Sequence, residues 1–144
     1  DDGTALFDSR TIMAELDRMS GNALYPRNKE RRRQAQLLEA AADGLCDALL
    51  AQVYERRMRP EEKVHTPWLD YQARKAERAF DWLEREVPAL RGRLHGGHFA
   101  LAAALGYADL RFGDLNWRRG RPRLRRFMKR FDETFAEYAA LKPQ

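Results

Sequence analysis

Leu6–Leu16, LFDSRTIMAEL, is the stretch whose reading decides the fold. Three apolar residues, Ala5-Leu6-Phe7, predict a short strand, preceded by a turn at Asp1-Asp2-Gly3. The chain then meets Asp8-Ser9, and Ile12, Met13 and Leu16 recur at helical spacing. Ser9 reads as the N-cap, because its hydroxyl can accept a hydrogen bond from an unpaired amide of the first turn. Free N–H groups and the positive end of the helix dipole make that terminus an anion site. Ser20-Gly21-Asn22 closes the helix, since Gly and Asn readily take the left-handed cap conformation. The strand–acid–Ser–helix element reads as the end of a domain that begins upstream.

Everything after it reads as helix. Leu24-Tyr25-Pro26 forms a linker, and Asn28 caps a second helix that runs to about Arg57 and is stopped by Pro60. Leu38, Leu45, Leu49 and Val53 form its apolar face, with Ala41, Ala42 and Ala48 leaving room for a neighbour. Gly44 within it marks either close packing or a bend. Thr66-Pro67 opens a third helix, Thr as cap and Pro in the first turn, where its missing N–H does no harm. Leu69, Ala73, Ala76, Phe80, Leu83 and Val87 form its stripe, and Glu77, Arg78, Asp81 and Arg85 a solvated side. A short linker between two such helices predicts an antiparallel hairpin. Arg91–Gly97 reads as a loop, and Phe99–Leu110, apolar on every side, as a central helix. Pro122 opens a further helix whose 3.6-residue period runs from Leu124 through Phe127, Met128, Phe131 and Phe135 to Tyr138.

Composition narrows the function classes. Of the 144 residues 44% are hydrophobic, enough to build a core. The 27 basic against 22 acidic residues leave a net charge of +5. The basic run Arg118–Arg130 could lie on phosphates, as a nucleic-acid-binding bundle would require. Leu124, Phe127, Met128 and Phe131 occupy its complementary face, however, so its aromatics point to a core rather than to bases, and a solvated face is the better reading. The uncharged run Phe99–Ala108 is about half the ~20 residues of a membrane span. A single cysteine, Cys46, excludes an internal disulfide and fits a reducing compartment. With His65, His95 and His98 as the remaining soft ligands, the spacing does not resemble a zinc site, and no metal is expected. Cys46 in GLCDALL reads as core rather than as nucleophile.

The strand–Asp8–Ser9–helix element, the helix hairpin, the apolar central helix and the terminal amphipathic helix together resemble the glutathione transferase family. The segments RPEEK (Arg59–Lys63) and ALGYADLRF (Ala104–Phe112) are similar to its bacterial members. The resemblance implies an all-α fold, a bundle like the glutathione transferase C-terminal domain, preceded by a strand–helix remnant of a thioredoxin-like domain. It divides the chain into that remnant at 1–20, a linker at 21–27 and the helical domain at 28–144. It implies that Asp8 and Ser9 bind the γ-glutamyl end of glutathione, the co-substrate, with the ammonium on the carboxylate and the carboxylate on hydroxyl and amides. It further implies a small hydrophobic electrophile, a homodimer and a cytoplasmic setting.

The family's thiol-activating Ser, Cys or Tyr and its cis-proline lie upstream of the matching element. The resemblance therefore implies no catalytic residue within 1–144, and an inactive chain on its own. A non-catalytic interaction module of the same fold is the alternative. The family's Ser/Thr-x-x-Asp capping box at the buried helix aligns with His95 and His98, in HGGHFALA, where imidazole is a poorer cap than Asp. Asp43 and Asp47 share a face of the helix that lines the family's electrophile pocket. They could meet substrate or a second subunit, or face solvent.

Overall fold

The computed structural model describes residues 3–141, and every regular element among them is helical. The order is α1 (Ser9–Met19), α2 (Lys29–Met58), a single 3-10 turn (Glu61–Lys63), α3 (Thr66–Glu86), α4 (Gly96–Arg111), α5 (Pro122–Thr134) and α6 (Tyr138–Leu141). Ala5–Phe7, expected as a strand, lies in no ladder, because the described residues contain no extended segment to pair with it. The first two residues of the expected turn, Asp1 and Asp2, lie outside the described residues.

The core is built around α2, α3 and α4. Asn28 caps α2 as expected, its Oδ1 accepting the Arg31 N–H at 3.0 Å. Leu38, Ala42, Leu45, Ala48 and Leu49 are buried along one seam, and small residues there let α4 approach. Gly44 is not demanded by close packing, since a Cβ there would meet nothing within 4 Å. The α2–α3 corner is tied by Glu55, whose Oε1 accepts the His65 N–H at 3.0 Å and pairs with Arg59 at 2.9 Å. His65, not Thr66, occupies the cap position of α3, and its side chain makes no capping bond.

The central helix begins earlier than its apolar run. α4 starts at Gly96, inside the stretch expected as loop, because the glycine pair packs tightly against what precedes α2 and against α2 itself. A Cβ on Gly96 would stand 2.6 Å from the Tyr25 ring, and one on Gly97 would collide with the Ala35 carbonyl oxygen. At the other end, α5 is held by α3: the Glu84 carboxylate accepts the N–H groups of Arg123 and Leu124, each at 2.9 Å. Leu124, Phe127, Met128 and Phe131 are buried as expected. The helix stops at Thr134, however, and Tyr138 reaches the core from α6, donating its hydroxyl to the Ala102 carbonyl at 2.7 Å. No helix among the described residues is long and apolar enough to cross a membrane.

The presumed solvated face of α3 has a partner. Arg121 donates to Glu77 at 2.6 Å and to Asp81 at 2.7 Å, with its guanidinium 5.1 Å from the Phe80 ring centroid. Asp109 holds its neighbours in the same way, accepting the Trp117 indole N–H at 2.7 Å and two guanidinium bonds from Arg118. Arg123 donates to the backbone carbonyls of Arg85 and Val87. Arg118, Arg121 and Arg123 of the basic run thus bind the bundle to itself.

Candidate functional site

The site expected at Asp8 and Ser9 is the start of α1. The backbone of Asp8 is extended, so it is Asp8 and not Ser9 that takes the N-cap position, with Ser9 the first helical residue. The Asp8 Oδ1 accepts the Arg10 N–H at 3.0 Å and the Ser9 hydroxyl at 3.3 Å. Both residues are exposed. One carboxylate oxygen, the neighbouring hydroxyl and the first-turn amides are therefore presented side by side at the positive end of an 11-residue helix. This arrangement can receive a group carrying both an ammonium and a carboxylate.

Arg10 fixes that end of α1 to the bundle. Its Nε donates to Asp43 Oδ2 on α2 at 2.7 Å. The hydrogen bond and the charge of Asp43, with smaller contributions from Asp8 and Asp47, raise the Arg10 pKa further above its already high value. Asp43 thus has a positioning role that its spacing to Asp47 did not reveal, because the partner lies 33 residues earlier in the chain. Cys46, between the two aspartates, is half-buried, and desolvation followed by the charges of Asp47 and Asp43 pushes its thiol pKa up. A thiol so held is a poor nucleophile.

The other end of α1 is organised by a residue that sequence reading passed over. Asp17 is buried at 1% exposure. Its Oδ1 accepts the N–H groups of Leu24 at 2.7 Å and Tyr25 at 3.0 Å, while Oδ2 pairs with Arg32 at 3.1 Å. The polypeptide between α1 and α2 is thereby folded back onto both. Tyr25 follows, donating its hydroxyl to Glu39 at 2.5 Å. Residue type alone would place Asp17 on a solvated face, since two of its partners are backbone amides without a sequence mark and the third, Arg32, lies 15 residues away.

At the α4 terminus the two histidines act in part as a capping pair. The His95 N–H donates to His98 Nδ1 at 3.3 Å, and the two rings stack with centroids 3.5 Å apart. Burial pushes the His98 pKa down to about 3, so the ring is neutral at physiological pH. Among the described residues no group of three or more His, Cys, Asp or Glu side chains is placed to hold a metal ion.

The family model described as glutathione S-transferase, C-terminal domain, matches residues 28–130. Solved structures agree over a longer span. A glutathione transferase family member from Pseudomonas fluorescens Pf-5, with bound S-(propanoic acid)-glutathione, is 36% identical with a TM-score of 0.88, covering 100% of this chain and 75% of that one. A glutathione S-transferase from Methylobacterium radiotolerans, in complex with glutathione sulfonate, is 28% identical with a TM-score of 0.86, covering 96% of this chain and 66% of that one. One from Methylobacillus flagellatus with glutathione bound is 30% identical with a TM-score of 0.82, covering 91% of this chain and 67% of that one. The chain thus spans about two thirds to three quarters of the length of these structures. Among curated proteins none matches. The helical fold, the matched segment and these similarities place the chain in the glutathione S-transferase C-terminal domain family.

Proposed function

We propose that this chain supplies the helical layer and part of the glutathione site of a glutathione transferase-like enzyme. In this reading the Asp8 carboxylate binds the ammonium of the γ-glutamyl group, and the Ser9 hydroxyl with the first amides of α1 receives its carboxylate. The observation that carries the reading is the Asp8–Ser9 pair at a helix start held to α2 by the Arg10–Asp43 bond. The relatives solved with glutathione or its derivatives support it. The residue that lowers the thiol pKa would lie outside residues 1–144, so this chain by itself would be inactive. In the intact enzyme the glutathione thiolate would attack a small hydrophobic electrophile, or exchange with a disulfide if the activating residue is Cys. The reading includes a homodimer, for which the exposed, stacked rings of Trp68 and Tyr71 are candidate contacts, and a cytoplasmic setting.

Retention of the full-length protein on immobilised glutathione tests this. The unaltered protein is expected to bind and to elute with free glutathione, and S9A to lose most of its retention while folding normally. Equal retention of S9A would remove Ser9 from the site.

A further inference from the structure

The turn that starts α4 is closed by two imidazoles. His95 holds the N-cap position with an extended backbone, and its N–H donates to Nδ1 of His98 at 3.3 Å. The two rings stack with centroids 3.5 Å apart, and Phe127 of α5 packs on His98 with centroids 6.0 Å apart. His98 is 4% exposed, and its Nε2 is buried without a hydrogen-bond partner. Imidazole accepts at Nδ1 only while that nitrogen carries no proton. This closure therefore exists in the neutral form alone.

The surroundings oppose a cation at every side. The pair stands at the positive end of a 16-residue helix, and the stack sets any charge on one ring against the other. Arg91 and Arg93 of the preceding loop, Arg27 of the α1–α2 connection and Arg31 of α2 border the same hollow as the two histidines. Glu86, at the end of α3, is the one carboxylate there, and it is exposed. Tyr25, whose ring abuts Gly96, is engaged with Glu39 and Arg32 of α2. From α5, Arg123, Arg126 and Arg130 lie beside Phe127. Burial first, and the charge of His95 second, push the His98 pKa down to about 3, and burial lowers that of His95 as well.

We propose that His95 and His98 form an acid-sensitive latch: a proton taken up by His98 breaks the His95 bond and opens the first turn of α4. The later turns stay anchored, because Leu101, Ala102, Leu105 and Ala108 are buried in the core. Opening exposes the rings to water, where imidazole titrates near about pH 6.5. A pKa lower in the closed turn than in the open one makes closure firm above that value and weaker as pH falls toward the closed-state pKa. The closing equilibrium should thus loosen about tenfold per pH unit for each proton taken up. An acceptor that does not titrate in this range would give no such dependence.

Hydrogen exchange of the full-length protein, corrected for the intrinsic rate and followed from about pH 7.5 to about pH 5, tests the latch. The amides to read are those of His98 and Phe99, which donate to the His95 carbonyl at 2.8 and 3.3 Å. Their protection is expected to fall about tenfold or more per pH unit below about pH 6.5, while amides in the middle of α3 keep theirs. In H98N the side-chain oxygen can accept the same N–H without titrating, and the dependence is expected to drop by about tenfold per pH unit. Protection that does not change with pH in the unaltered protein, or a slope in H98N equal to that of the unaltered protein, would overturn the proposal. NMR of the His98 ring gives a reading that needs no variant. Its resonances are expected to keep their neutral positions down to about pH 5 in the folded protein, and a folded-state titration near about pH 6.5 would also overturn the latch.

Discussion

Asp17 of α1 and Arg32 of α2 meet at 3.1 Å across the polypeptide that joins their helices, and the same carboxylate binds two amides of that connection. Removing it leaves the Leu24 and Tyr25 N–H groups without their acceptor and Arg32 without its partner. D17A is therefore expected to lower stability by about 3 kcal/mol in urea unfolding. A loss below about 1 kcal/mol would mean that water replaces the carboxylate at little cost.

The same carboxylate has a pH signature. Desolvation raises the Asp17 pKa, but the N–H groups of Tyr25 and Leu24 and the Arg32 guanidinium outweigh it, and the net shift is downward. A depressed folded pKa gives stability that is fully present above the unfolded value of about 3.9 and is lost as pH falls through the folded value. The stability gap between the unaltered protein and D17N should be constant near neutral pH and shrink below about pH 4. A gap independent of pH down to 3 would contradict the charged state of Asp17.

Glu84 caps a helix that begins 38 residues after it, with one oxygen for each of two N–H groups. E84A is expected to cost about 1–2 kcal/mol, and hydrogen-exchange protection should fall first in α5. E84Q, which keeps one acceptor oxygen and loses the charge, should cost less. Equal protection of α5 in E84A would show that packing of Leu124 and Phe127 alone holds it.

Glycine substitutions separate close packing from mere tolerance. G97A is expected to destabilise by about 2 kcal/mol, because the obstacle is the Ala35 backbone oxygen, which cannot swing away. G44A, with open space at its Cβ and a helical backbone, should stabilise by up to about 1 kcal/mol. Thermal melts of the two variants should move in opposite directions.

These contrasts show which parts of the fold the residues announce. The faces of α2, α3 and α5 are largely legible because the apolar period agrees with the cap at Asn28 and with the first-turn prolines Pro67 and Pro122, although Thr66 is not the cap of α3 and Ala73, expected in its apolar stripe, is exposed. The start of α4 is not, because Gly96-Gly97 has the composition of a loop and its reason is a non-local contact with Tyr25 and Ala35. At the candidate site the residue pair is legible but its register is not: Asp8 and Ser9 are both good caps, and only the backbone decides that Asp8 takes the position. Asp17 and Asp43 escape sequence reading for a common reason, since each is defined by partners on another segment. Periodicity likewise carries Tyr138 into α5, whereas the chain breaks after Thr134 and delivers the same side chain from α6.

The binding of glutathione to the intact protein, with D8N as the variant, bears most directly on the central claim. Asn is as good an N-cap as Asp, so D8N keeps α1 and removes only the charge. The reading of Asp8 as the ammonium partner predicts affinity reduced about tenfold to a hundredfold, with an unchanged melting temperature. Glutathione affinity equal to that of the unaltered protein would contradict it and leave Asp8 a helix cap alone.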